Sequence, residues 1–159
     1  MDDSFYDNCK KVSFNYYSDV LEENIVETMW AEVIDEQEAL YRLVNIPFYG
    51  ALIAPDDIFS VEIGHDGETL FYQDTIESSG NSVIQIAVVD NQTNVEDLRN
   101  EFVKLHCDSE GVTDTFFVIE VKYDNDYKII NQYLEKLQNE GTIDYAEPCL
   151  SSKHAADLN

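Results

Sequence analysis

The sequence predicts an α+β protein: a small antiparallel β-sheet or barrel over residues 1–80, packed on a ferredoxin-like βαββαβ unit over residues 81–150. Three observations predict it. Residues 10–76 hold short strand-like runs divided by turn residues, with no helical period among them. The pattern changes at the break Ser78-Ser79-Gly80-Asn81-Ser82. Beyond that break, two amphipathic helical stripes alternate with strand runs in the order β-α-β-β-α-β.

In the first half, Val12, Phe14 and Tyr16 alternate with Lys11, Ser13 and Asn15, the period of a half-buried strand over residues 10–17. Residues 25–34 are rich in β-branched and aromatic types, and the polar turn Asp35-Glu36-Gln37-Glu38 joins them to residues 39–46 as a hairpin. Asn45-Ile46-Pro47-Phe48 ends that strand, because Pro47 lacks a ladder donor. Residues 58–63 and 69–76 pair across His65-Asp66-Gly67-Glu68, where Gly67 supplies a positive φ. Five short strands without a helix point to a curled sheet or barrel.

In the second half, residues 83–89 are apolar on nearly both faces, which predicts a central strand. Thr93 and Glu96 fit a capping box, and Val95, Leu98, Phe102 and Leu105 recur at helical spacing over residues 94–106. Residues 106–110 form a short strand, Gly111-Val112-Thr113-Asp114 a turn, and residues 115–123 the strongest strand. Asp126 caps a second helix with the stripe Ile130, Tyr133, Leu134 and Leu137, and Gly141 ends it. A last strand over 142–148 stops at Pro148, and residues 151–159 are expected to form a flexible tail.

The chain has 159 residues, 44% of them hydrophobic, enough for a packed interior. It carries 33 Asp and Glu against 9 Lys and Arg, a formal net charge of -24. Such a field repels phosphate backbones and anionic lipid, so direct contact with nucleic acid or a membrane surface is disfavoured and a basic partner is favoured. No apolar run approaches the roughly 18 residues of a membrane span, and the acidic N-terminus lacks a secretory h-region. A cytoplasmic location is expected. Cys9, Cys107 and Cys149 are odd in number and widely spaced, which argues for unbridged thiols. His65, His106 and His154 show no ligand spacing. Asp124-Asn125-Asp126 with Glu135 resembles a calcium loop, but Ile129 stands where the sharp turn needs Gly and Lys128 at a ligand position. No metal or cofactor is expected.

No catalytic motif assembles. There is no G-x-S-x-G, the six glycines do not cluster, and close carboxylate pairs arise by chance among so many acids. A Ser79–His65 pairing would depend on the fold bringing the two together. Charge order is sharper. Between residues 12 and 98, Arg42 is the one cation against eighteen acids. Glu22, Glu23, Asp35, Glu36, Glu38, Asp56 and Asp57 fall in predicted loops and are the candidate partner-binding residues. Tyr6, Tyr16, Tyr17 and Tyr49 are candidate aromatic anchors. The plainer alternative is a solvated surface that keeps the protein soluble.

Several blocks carry a family resemblance. They are Glu27-Thr28-Met29-Trp30-Ala31-Glu32, Tyr41-Arg42-Leu43 leading into Asn45-Ile46-Pro47-Phe48, Asp57 ahead of a strand, and Ser79-Gly80-x-Ser82. With Asp144-Tyr145 and Cys149-Leu150 they resemble a bacterial domain-of-unknown-function family (DUF4265) over about residues 10–152. Asn81 stands where that family tends to have His, Val83 where it has Thr, Gln85 where it has Arg, and Asp56 where it has Gly. An activity resting on that His and Arg is therefore expected to be absent here. Small acidic bacterial proteins of this kind are often encoded beside polymorphic toxins. By that analogy the leading expectation is an immunity protein that occludes a basic toxin domain, a nuclease, and is not itself an enzyme. The alternatives are a small-ligand-binding regulatory protein with its site at the Ser79–Ser82 break, and an enzyme using acids with His65.

Overall fold

The computed structural model describes residues 7–19 and 21–159. The chain divides into two compact units, Met1–Ser79 and Gly80–Asn159.

In the first unit, strands β1 (Cys9–Ser18), β2 (Glu23–Asp35), β3 (Leu40–Leu43), β4 (Ile58–Ile63) and β5 (Leu70–Glu77) close into a barrel in chain order. Successive strands are antiparallel. An odd number of strands in up-and-down order leaves the first and last running the same way. The barrel therefore closes through a short parallel pair, Val12 opposite Leu70 and Ser13 opposite Phe71. Closure removes the exposed edges that an open sheet would present. The period-2 pattern turns Val12, Phe14, Met29, Ala31, Tyr41, Leu43, Phe59 and Val61 inward, and the long loop after β3 returns Ala51 and Ile53 to the same core. Phe14 meets Phe59 edge-on at 5.3 Å and stacks on Tyr72 at 5.2 Å. The third strand ends at Leu43, before Pro47, because the Asn45 side chain takes over the Trp30 N–H at 2.7 Å.

The second unit runs β6 (Ser82–Val88), α1 (Val95–Lys104), β7 (Asp108–Thr113), β8 (Phe116–Val121), α2 (Tyr127–Asn139), β9 (Ile143–Cys149) and α3 (Ser152–Asp157). Its sheet order is β7-β8-β6-β9, with every neighbouring pair antiparallel. Val95, Leu98 and Phe102 of α1 and Tyr127, Ile130, Leu134 and Leu137 of α2 are buried with Ile84, Ile86, Phe117, Ile119 and Ile143 in one core. Each such side chain contributes roughly 1.5–3 kcal/mol by leaving water. Gly141, at φ 77°, ends α2: its N–H reaches the Gln138 carbonyl, and the Thr142 N–H reaches that of Leu137.

Four local expectations are corrected. The α1 cap is Asn94, whose side-chain oxygen accepts from the Glu96 and Asp97 N–H groups, while the Thr93 hydroxyl donates to Asp90 instead. The β7 strand continues through Gly111 to Thr113, so the turn shrinks to Asp114 and Thr115. Pro148 lies inside β9, tolerated because β9 is an edge strand whose register to β6 shifts at that level. Residues 152–157 are helical where a flexible tail was expected. Ser151 caps α3 by accepting the His154 N–H at 3.2 Å, Ala155 and Ala156 favour the helix, and His154 is fully buried.

Candidate partner-binding surface

The seven candidate acids do not form one patch. Glu22 and Glu23 stand at the start of β2, whereas Asp35, Glu36 and Glu38 stand at its far end. Thirteen residues of extended chain separate the two groups by about 40 Å of strand. At the far end, Asp35 accepts the Glu38 N–H at 3.1 Å and Glu36 pairs with Lys10 at 3.3 Å. Glu22 and Asp56 are exposed and hold left-handed backbone, with φ of 55° and 70°.

Asp57 requires a correction. It is buried and cannot present its charge to a partner. One carboxylate oxygen accepts the Ala54 N–H at 3.0 Å. The other accepts the Ser79 N–H at 2.7 Å and the Ser79 hydroxyl at 2.8 Å. Loop position drew attention to it, but three converging donors make it a fastener.

The cations are largely spent inside the chain. Arg42 pairs with Glu32 across β2 and β3, Arg99 with Glu96, Lys104 with Glu101, Lys122 with Glu120, and Lys153 with Asp157. Apart from that of Glu120, whose carboxylate is buried, these pairs are at least partly exposed and add little stability. They do cancel the positive field, so the surplus carboxylates set the potential outside the protein.

Of the aromatic candidates, Tyr17 is exposed. Tyr49 sits edge-on to Phe48 with ring centres 6.0 Å apart. Tyr16 is half-buried and donates its hydroxyl to Glu27; burial, and then that bond, push its pKa far above the usual tyrosine value. Tyr6 lies outside the described residues.

The motif residues fasten the fold. The second oxygen of Glu27 accepts the Phe48 N–H at 2.9 Å, and the Val44 N–H reaches the Trp30 carbonyl at 3.0 Å. With Asn45 on Trp30, the two blocks around Trp30 and Pro47 hold each other. In the second unit, Asn81 accepts the Tyr123 N–H at 2.8 Å.

Sequence reasoning missed a buried Ser–His pair. The Ser82 hydroxyl lies 2.6 Å from His154 Nδ1, and His154 Nε2 lies 2.9 Å from the Lys122 carbonyl. A carbonyl only accepts, so Nε2 carries the proton and Nδ1 accepts from Ser82. The Ser82 oxygen accepts in turn from the Ser151 N–H at 2.9 Å. Burial drives the His154 pKa below its usual value, so the ring is held neutral. The geometry is that of a nucleophile and its base, but both side chains are fully buried, and no substrate reaches them. The signal in the sequence was Ser151, three residues ahead of His154 at cap spacing.

His65 does not meet Ser79, whose hydroxyl is bonded to Asp57 and the Pro55 carbonyl. It lines a concavity of about 560 Å³ with Glu62, Gly64, Asp66, Phe71 and Tyr72. The cysteines are all thiols, and burial pushes that of Cys107 up to about 12, which leaves it unreactive. Among the described residues, no group of three or more His, Cys, Asp or Glu is disposed to hold a metal ion, and no helix is long and apolar enough to cross a membrane.

These features define an acidic α+β protein built from a closed five-stranded barrel and a four-stranded antiparallel sheet with helices. The profile of the family described as "Domain of unknown function (DUF4265)" matches residues 27–145, and the chain belongs to that family. Among solved structures, the chain is similar to one described as a "Novel crystal structure of a hypothetical protein from Neisseria gonorrhoeae". The TM-score is 0.76 and the identity 20%, over 89% of this chain and 95% of that one, a likeness of fold. No curated protein matches the chain.

Proposed function

We propose that the protein is a cytoplasmic immunity protein, which neutralises a basic toxin domain by covering its cationic groove with carboxylates. The observation that carries this reading is the run of eighteen acids to one cation between residues 12 and 98, in a chain whose cations are mostly paired internally. A nuclease grips phosphates with Lys and Arg, and an acidic surface competes for those same side chains. It also speeds encounter with a basic target and repels acidic bystanders. The protein acts by occlusion, without catalysis, cofactor, nucleic-acid contact or membrane contact. Because the exposed acids are split between the two ends of β2, one target engages one region rather than the whole set. The strand order β7-β8-β6-β9, with a helix before β7 and another after β8, supports reading the second unit as ferredoxin-like.

The test is binding of the purified protein to the product of its neighbouring gene from about 50 to 500 mM salt. The expected result is tight binding whose association rate falls steeply with salt. Tight binding indifferent to salt removes the electrostatic mechanism, and absence of binding removes the reading. The small-ligand alternative finds no support at the Ser79–Ser82 break, where the Ser79, Asn81 and Ser82 side chains are all engaged in internal bonds.

A further inference from the structure

The concavity beside the β4–β5 turn combines features that suit one kind of group. It holds about 560 Å³ and is walled by the carboxylate-bearing Glu62 and Asp66 and the rings of Phe71 and Tyr72. None of its lining residues is Lys or Arg. We infer that it seats an arginine side chain of the basic partner, the guanidinium stacked on an aromatic wall and paired with Glu62. The seat rests on the reading of the protein as a binder of a basic target, and adds the place and chemistry of the central contact.

Guanidinium is flat, permanently charged and weakly hydrated, so it gains both from an aromatic face and from a carboxylate fork. Glu62 is exposed on the outward side of β4, directly opposite Phe71 in the ladder. Ile63 also lines the space and is 62% exposed, an apolar rest for the methylene stem of the arginine. Asp66 donates field rather than contacts. Its oxygens accept from the Thr69 hydroxyl and from the Thr69 and Glu68 N–H groups.

The walls are set before any ligand arrives. A Cβ on Gly64 would fall 2.7 Å from the Phe71 ring, so glycine lets the ring lie over the turn. Tyr72 is fixed from behind by stacking on Phe14. Little ordering cost then remains on binding.

The probe is tetraarginine amide, titrated calorimetrically and by amide NMR into the full chain. The expected result is binding that weakens about tenfold in Glu62→Gln and about fivefold in Phe71→Leu, and is unchanged within twofold in the Asp124→Asn/Glu140→Gln double variant, whose acids are exposed and lie outside the candidate binding set. Glu62→Gln is a surface change that leaves the core intact, so a Phe71→Leu chain that fails to fold does not spoil the test. No binding by the peptide, equal affinity in wild type and Glu62→Gln, or an equal loss in the Asp124/Glu140 variant overturns the seat. Binding of the neighbouring gene product to wild-type protein tests the parent reading separately. If that binding is tight and unaffected by Glu62→Gln, the seat falls while the acidic binder stands.

Discussion

The two units differ in what their polar side chains secure. In residues 7–79, acids and an amide tie loops to strands: Glu27 and Asn45 hold the segment around Pro47, and Asp57 gathers the Ala54 and Ser79 backbone. In residues 80–159, an apolar slab between sheet and helices makes the core, and the deepest polar contact is neutral, Ser82 on His154. Charge follows the same division. Residues 1–79 carry eighteen acids and three cations, and residues 80–159 carry fifteen and six. The second unit spends acids on its own structure too, Asp157 accepting the Tyr127 N–H and Glu147 its hydroxyl, but it holds more cations to match them. In either unit a carboxylate has one of two tasks, and residue type does not announce which.

Asp56 and Asp57 put that difference to the hardest test. Asp57→Ala leaves the buried Ala54 N–H and the half-buried Ser79 N–H without their acceptor and leaves the Ser79 hydroxyl only the Pro55 carbonyl, and is expected to cost about 3 kcal/mol. Asp56→Asn keeps a side chain that tolerates left-handed backbone and is expected to change stability by less than about 0.5 kcal/mol. Urea midpoints of the two variants decide it. Equal midpoints would mean that Asp57 fastens nothing.

The pair also shows where sequence reading stops. The strands, both long helices and the break near residue 80 follow from periodicity, which reports burial along one element. Asp57 and Asp56 are neighbours in the same predicted loop, and only the return of the chain at Ser79 separates their fates. The same holds for His154, whose partner Ser82 lies 72 residues away. Glu22 and Asp35 failed differently: Glu22 sits in a turn as expected and Asp35 is the last strand residue before one, but the length of β2 places them at opposite ends of one strand. Contacts between distant segments leave no local period to read.

The second unit's neutral Ser–His pair predicts its own pH signature. The folded pKa of His154 is depressed, chiefly by burial, whereas the unfolded chain titrates near the ordinary 6.5. Below about pH 6.5 the unfolded state binds a proton that the folded state refuses, so stability falls as pH drops through that value. The slope approaches at most ~1.4 kcal/mol per pH unit for one proton. The depressed carboxylates, Asp66, Asp90 and Asp157, act in a separate window. Their stabilisation is present above the ordinary 3.8 and is lost only as pH falls below it. Chemical denaturation at pH 7.5, 6.5 and 5.5 checks the first window, and His154→Gln is expected to flatten it. A wild-type slope that survives in His154→Gln belongs to another group.

Salt acts on the first unit more than on the second. With a formal net charge of -24, the folded chain repels itself, and about 0.5 M NaCl is expected to raise stability by ~1 kcal/mol over low salt. A fall in stability with salt would show that the internal ion pairs outweigh the self-repulsion.

The smallest effect separates charge from conformation at one residue. Glu22 is exposed and left-handed, so its side chain and its backbone make independent claims on stability. Glu22→Gln removes the charge and keeps the strained φ, and is expected to leave the urea midpoint unchanged within about 0.5 kcal/mol. Glu22→Gly removes both, and relief of a left-handed non-glycine residue, less the added freedom of the unfolded chain, leaves a gain of a few tenths of a kcal/mol. If the glutamine variant instead stabilises as much as the glycine variant, the charge at the hairpin is the costly feature. A costly charge kept on a solvent-facing turn has its compensation outside the folded chain, in whatever the acidic surface meets.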